Sequence, residues 1–176
     1  MFRLGGAQAI WDEVRVSAAP PPPVLFIDGD ACPVKEEAYK VARRYGLPVK
    51  LVANAWINAP REALIERVVV DAGPDAADDW IAERAGAGDL VVTADLPLAE
   101  RCLKAGALVI APNGRMHTAD SIGAALAGRA IGEHLRSMGE VTGGAKPFGP
   151  ADRSRFLQAL DEAANRARRS KASRSP

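Results

Sequence analysis

Short apolar runs that end in polar or acidic residues alternate along this chain with stretches whose apolar residues recur at helical spacing. Val24-Leu25-Phe26-Ile27 reads as a buried strand closed by Asp28. Pro33 opens a helical stretch to about Tyr45, with Val34, Ala38, Val41 and Ala42 on one face and Gly46 as its stop. Residues 49–53 form a second strand, and a short helix is expected after Asn58 and Pro60. Val68-Val69-Val70 reads as a third strand, and Gly73-Pro74 turns the chain into a helix through about Ala85. Leu90-Val91-Val92 is a fourth strand. Pro97 starts a helix to Lys104 that Gly106 closes, and Leu108-Val109-Ile110 is a fifth strand. Beyond it the pattern is helical only: Thr118 or Asp120 caps a helix to about Met138, and Pro150 opens another to about Arg168.

Strands alternating with helices predict an α/β domain, with a mainly parallel central sheet flanked by helices and a helical C-terminal portion. The 176 residues suit one domain. Pro20-Pro21-Pro22-Pro23 favours extended geometry, so residues 1–23 are expected to be a flexible extension with a proline-rich spacer. Residues 24–165 make the domain and residues 166–176 a basic disordered tail. No apolar run approaches the roughly 18 to 20 residues that span a bilayer, so no membrane span is expected. Two cysteines, Cys32 and Cys102, make no disulfide framework, and the expected compartment is the cytoplasm.

The net charge of +1 conceals an uneven distribution. Residues 24–149 carry 14 basic and 17 acidic groups, whereas residues 150–176 carry seven basic and three acidic. Arg166, Arg168, Arg169, Lys171 and Arg174 have no acid among them. They read as a solvated tail or as a nonspecific phosphate-binding arm. Nine aromatic residues are too few for a module built mainly on base stacking.

The acids fall where chemistry is expected. In open α/β sheets ligands bind beyond the carboxyl ends of the strands. Asp28 and Asp30 follow the first strand, Asp71 the third, and Asp95 the fourth, two residues after Thr93. Asp75, Asp78 and Asp79 lie at i, i+3 and i+4 on one face of the following helix. Asp75 and Asp95 could each simply cap a helix. Two carboxylates 4 Å apart repel by about 4 kcal/mol at an effective dielectric near 20, so several at one edge require protons or a cation. Oxygen ligands without His or Cys select hard ions, Mg²⁺ or Mn²⁺, which support displacement at phosphorus.

Asp28-Gly29-Asp30-Ala31-Cys32-Pro33-Val34-Lys35, Val52-Ala53-Asn54, Asp75-Ala76-Ala77-Asp78-Asp79-Trp80-Ile81 and Thr93-Ala94-Asp95-Leu96-Pro97-Leu98-Ala99 together resemble the YaiI/YqxD family. Thr142-Gly143-Gly144, Pro147-Phe148 and Asp152-Arg153 follow in the same order. The resemblance covers roughly residues 24–160. It implies a PIN-like fold, a Mg²⁺ or Mn²⁺ site and ribonuclease activity, with RNA, single-stranded or structured, as partner. On that reading the catalytic acids are Asp28, Asp75, Asp79 and Asp95, and the metal is held among these with Asp30 and Asp78. Three positions depart from the family pattern: Gly29 replaces Ala, Asn113 replaces Arg, and Gly149 replaces Ser. The last two bear on a phosphate contact near 113 and on the cap of the final helix.

Asn54, Thr93, Lys35, Arg115, Lys146 and Arg153 are the candidate substrate-binding residues. Asn54 and Thr93 end strands on the acidic edge, and the four cations suit phosphate. Cys32 stands at a helix start, where the dipole could lower a thiol pKa, although a small buried residue is the plainer reading. Exposure of Trp56 on its loop would allow base stacking. Two alternatives stand beside the metal-dependent phosphodiesterase. One is a noncatalytic RNA-binding or regulatory domain that keeps an acidic metal site. The other starts from Asp28-Gly29-Asp30, which looks like the nucleophile motif of haloacid-dehalogenase phosphatases. Those enzymes usually follow the second Asp with Gly and Thr or Val, whereas Ala31-Cys32-Pro33 stands here.

Overall fold

An uninterrupted apolar strand must be covered on both faces, and β1 (Leu25–Asp28) meets that demand at the centre of the sheet. The computed structural model describes residues 20–30, 32–139 and 147–173. After β1 come α1 (Lys35–Tyr45), β2 (Val49–Ala53), β3 (Ile65–Val69), α2 (Ala76–Arg84), β4 (Leu90–Val92), α3 (Leu96–Lys104), β5 (Leu108–Ile110), α4 (Ala119–Ser137) and α5 (Pro150–Ala172). The five strands pair in parallel in the order β3-β2-β1-β4-β5. This is the expected α/β architecture with a helical C-terminal portion.

Alternate side chains of β1 divide the core. Leu25 and Ile27 pack with Ala38 and Val41 of α1 and with Phe156 and Leu160 of α5. Phe26 faces the opposite layer, with Ala77 and Ile81 of α2, Leu98 of α3 and Ile122 of α4. Thr118, rather than Asp120, caps α4: its Oγ1 accepts from the Ser121 N–H (3.1 Å), and Ser121 Oγ accepts from the Thr118 N–H (2.9 Å). No helix among the described residues is long and apolar enough to cross a membrane.

Two expectations need correction near the β3 edge. The short helix after Asn58 and Pro60 does not form, and β3 starts at Ile65 rather than Val68. The Val49 N–H donates to the Leu64 carbonyl (2.7 Å), and Val49 pairs with Ile65, so this segment is drawn into the sheet. As an edge strand β3 carries Glu66 and Arg67 in its middle, which hides it from a search for apolar runs. Lys50 of β2 pairs with Glu66 across the ladder.

The expected disordered tail also needs correction, because α5 continues to Ala172. Ala163, Ala164 and Ala167 are buried, Arg168 lies over the Tyr45 ring (5.3 Å), and Lys171 pairs with Asp89 (2.8 Å). Packing and pairing therefore order most of the basic segment. At about 1.5 Å per residue this helix spans the whole sheet, from its carboxyl edge to its amino edge. Of the proline run, Pro23 is buried. The expectations for residues 1–19 and 174–176 fall outside the described residues.

Candidate functional site

The strand order reverses between β1 and β4, which makes their carboxyl ends a topological switch point. Ile27 pairs with Val92, so the residues that follow, Asp28 and Thr93, leave the sheet side by side. Thr93 is 2% exposed and joins the two acids beside it. Its hydroxyl donates to Asp28 Oδ2 (2.9 Å), and its Oγ1 accepts from the Asp95 N–H (3.0 Å). Asp95 does cap a helix, its Oδ1 accepting from the Leu98 N–H (2.8 Å) at the start of α3. Capping engages one oxygen and leaves the carboxylate beside Asp28.

Burial raises the Asp28 pKa above its ordinary value, with Asp30 and Asp95 adding to the rise and the Thr93 hydrogen bond opposing it. Asp78, in the first turn of α2, is half-buried. Burial first, then Asp95, Asp28 and Asp75, push its carboxyl up to about 6, against a smaller opposing effect of Arg101. Asp78 of α2 is thus within electrostatic reach of Asp28 at the end of β1 and of Asp95 in the β4–α3 loop.

The remaining acids are disposed differently. Asp75 occupies the N-cap position of α2, yet its exposed side chain makes no capping hydrogen bond. Asp79 forms an ion pair with Arg101 of α3 (2.7 Å). Asp30 accepts from the Asn54 N–H at 3.1 and 3.2 Å, tying the end of β1 to the end of β2. At Gly29, the Ala of the family pattern would force a local shift in this chain. A Cβ there would stand 2.9 Å from the Val52 carbonyl oxygen and 2.6 Å from Ile57 Cδ1.

The candidate substrate-binding residues separate in the same way. Asn54 sits on the acidic edge with a buried Oδ1 that has no hydrogen-bond partner among the described residues. Thr93 is committed to Asp28 and so positions an acid rather than meeting solvent. Lys35 begins α1, close enough to lower the Cys32 pKa, though burial dominates and pushes that thiol up to about 11. The buried-residue reading of Cys32 therefore holds. Arg153 donates to the Pro33 carbonyl (2.6 Å) and pairs with Glu37 (3.2 Å), fastening α5 to the start of α1. Arg115 is exposed, its N–H donating to Asn113 Oδ1 (3.0 Å). Asn113 is thus a turn former here. At the start of α5 the Asp152 carboxylate accepts from the Gly149 N–H (2.8 Å), which meets a donor there without a residue 149 side chain. Lys146 and the Thr142-Gly143-Gly144 stretch lie outside the described residues.

The chain matches the model of the family described as "Uncharacterized BCR, YaiI/YqxD family" over residues 26–166. The chain belongs to the YaiI/YqxD family. It is 66% identical over 146 residues to a UPF0178 protein of Caulobacter sp. (strain K31), covering 83% of this chain and 97% of that one. A UPF0178 protein of Azorhizobium caulinodans is 60% identical, with 88% and 97% covered, and one of Rhodopseudomonas palustris (strain BisB5) is 58% identical, with 88% and 94% covered. No solved structure matches the chain. The family match takes in every acid of the edge and stops inside α5.

Whether these residues suit a divalent cation can be judged from the donors themselves. They are carboxylate oxygens joined by an orphaned amide oxygen, the set a hard cation takes. As the side chains stand, no three His, Cys, Asp or Glu residues among those described are close enough together to enclose an ion. Sequence reasoning missed Asp89 and the pairing role of Arg101. Two of the three partners of Asp89, the Val24 N–H and Lys171, lie 65 and 82 residues away, so its role in joining those segments has no local signal.

Proposed function

We propose that Asp28, Asp78 and Asp95 hold a Mg²⁺ or Mn²⁺ ion, with Asp75 and Asn54 completing its surroundings, and that the protein hydrolyses phosphodiester bonds in RNA. The observation that carries this reading is the gathering of Asp28, Asp78 and Asp95 on the edge at the switch point, with the Asp28 and Asp78 pKa values raised first by burial and then by neighbouring acids. A bound cation would supply Lewis-acid activation of water and charge neutralisation at the phosphate. Thr93 fixes the orientation of Asp28, and the α3 cap fixes Asp95. Burial, then Asp95, Asp28 and Asp75, oppose the ionisation of Asp78, so it would gain from an added positive charge. Asp79, held by Arg101, serves the packing of α2 on α3 and is not assigned a ligand role.

Cleavage of a mixed RNA pool with added Mn²⁺ tests the proposal, with Asp95→Asn as control. Mn²⁺ should also raise the melting temperature of the protein, and Asp28→Asn combined with Asp95→Asn should abolish that rise. Unchanged melting at saturating Mn²⁺ and Mg²⁺ would sink the metal site. The openness of the acid set favours one competing reading, a noncatalytic RNA-binding domain. It predicts salt-dependent RNA binding with no cleavage under any metal.

A further inference from the structure

Beside the acids, on the β5 side of the carboxyl edge, lies a cavity of about 650 Å³. Ala94 and Leu96, the residues flanking Asp95, form part of its wall, so the cavity and the acidic set share a border. Its volume falls within the roughly 300–1,000 Å³ typical of small-ligand sites. Leu96, Pro112 and the exposed Phe148, over whose ring Arg153 lies at 5.3 Å, supply apolar surface. Arg115 supplies positive charge, and so does Arg155, one nitrogen of which is paired with Asp152 of the same wall. His117 also lines it, 8% exposed, with a buried Nδ1 that has no partner among the described residues. An orphaned polar atom of this kind costs free energy until something meets it. Burial, and Arg115 beside it, hold the imidazole below its ordinary pKa, so the ring is neutral and suited to a base edge rather than a phosphate.

The walls of this cavity are fixed by the fold. Gly114 adopts a positive φ of 84°, and a Cβ there would stand 2.6 Å from the Arg155 backbone. The turn carrying Pro112, Asn113 and Arg115 is thereby pressed against the first turns of α5, which carry Arg155. The two guanidiniums consequently border one space although they are 40 residues apart.

We propose that this cavity binds one nucleotide unit of a single-stranded nucleic acid next to the bond cut at Asp28 and Asp95. The base rests on Phe148, Pro112 and Leu96, and its phosphate meets Arg115 and Arg155. Apolar surface beside two guanidiniums, one with donors left over from its pair with Asp152, matches a nucleotide, and the shared border with the acids gives it a place on the substrate strand. The assignment of the strand rests on the proposed hydrolase, but binding in the cavity is independent of it.

Calorimetric titration of the full chain with adenosine 5′-monophosphate in EDTA separates the two. The nucleotide should bind without divalent metal, more tightly than adenosine or inorganic phosphate. Arg115→Gln combined with Arg155→Gln should weaken it roughly tenfold and erase its advantage over adenosine. Phe148→Ala should weaken both nucleotide and nucleoside. A short oligoadenylate should compete with the mononucleotide. Absence of binding, indifference to the arginine pair, or failure of the oligonucleotide to compete overturns the proposal. Binding as described with no Mn²⁺-dependent cleavage would preserve this site and remove the hydrolase reading.

Discussion

Asp89 and Asp28 stand at opposite edges of the same parallel sheet, one just before β4 and the other at the end of β1. Asp89 is 8% exposed and amply met: Oδ1 accepts from the Val24 N–H (3.0 Å) and from Lys171 (2.8 Å), and Oδ2 from the Gly86 N–H (3.0 Å). Asp28 is also largely shielded, yet Thr93 is the side-chain donor that meets it, and further carboxylates stand nearby. One sheet therefore carries a carboxylate arranged for stability and another arranged against it. A shielded carboxylate with other carboxylates beside it is costly, which is the cost the proposed cation would relieve at the switch point.

Substitutions at the two edges should separate these roles. At the carboxyl edge Asp95→Asn is expected to lower Mn²⁺-dependent RNA cleavage by about 100-fold or more while leaving melting in EDTA nearly unchanged. Equal cleavage by wild type and variant would remove Asp95 from the chemistry. At the amino edge Asp89→Ala should do the reverse. Losing a buried acceptor of two backbone donors and one lysine costs about 3 kcal/mol, a fall of roughly 6–12 °C in melting temperature. RNA cleavage per folded molecule should not change. A variant as stable as wild type would show that the Asp89 contacts contribute little.

Thr93 lies between these extremes, because it acts on the acids and not on solvent. Thr93→Val removes the donor to Asp28 and the acceptor for the Asp95 N–H, and should weaken Mn²⁺ binding by about tenfold. Thr93→Ser should restore it. Affinity measured by Mn²⁺ titration of the melting temperature distinguishes this from a packing defect, which the serine would not repair.

The apolar runs of β1, β2, β4 and β5 announce themselves because each is buried, and a buried strand tolerates few polar residues. β3 carries Glu66 and Arg67 on a sheet edge, where solvent accepts them, so only the Val68-Val69-Val70 end was legible. The acids were legible as a group because they follow strands. Which of Asp78 and Asp79 lies within reach of Asp28 and Asp95 was not, since Arg101, 22 residues on, pairs with Asp79. The end of α5 was hidden for a related reason: arginines and lysine suggest a solvated tail until Tyr45 and Asp89 are placed beside them.

The smallest effect gives the sharpest view of the acidic edge, because it needs no substrate. In EDTA the folded chain holds the Asp78 proton up to a pH of about 6, whereas an unfolded aspartate releases it near pH 4. The folded state thus binds that proton more tightly. The resulting stability is fully present below about pH 4 and is lost as pH rises through 6. Asp28 shifts in the same direction. Asp78→Asn should flatten this part of the profile and raise stability at pH 7 by about 1 kcal/mol after solvent screening, or roughly 2–4 °C. Asp89→Asn should show no such gain, because its carboxylate is met. If wild type and Asp78→Asn gave parallel melting profiles from pH 4 to 7, the carboxyl edge would hold no repulsion for a cation to relieve, and the contrast between the two edges would collapse.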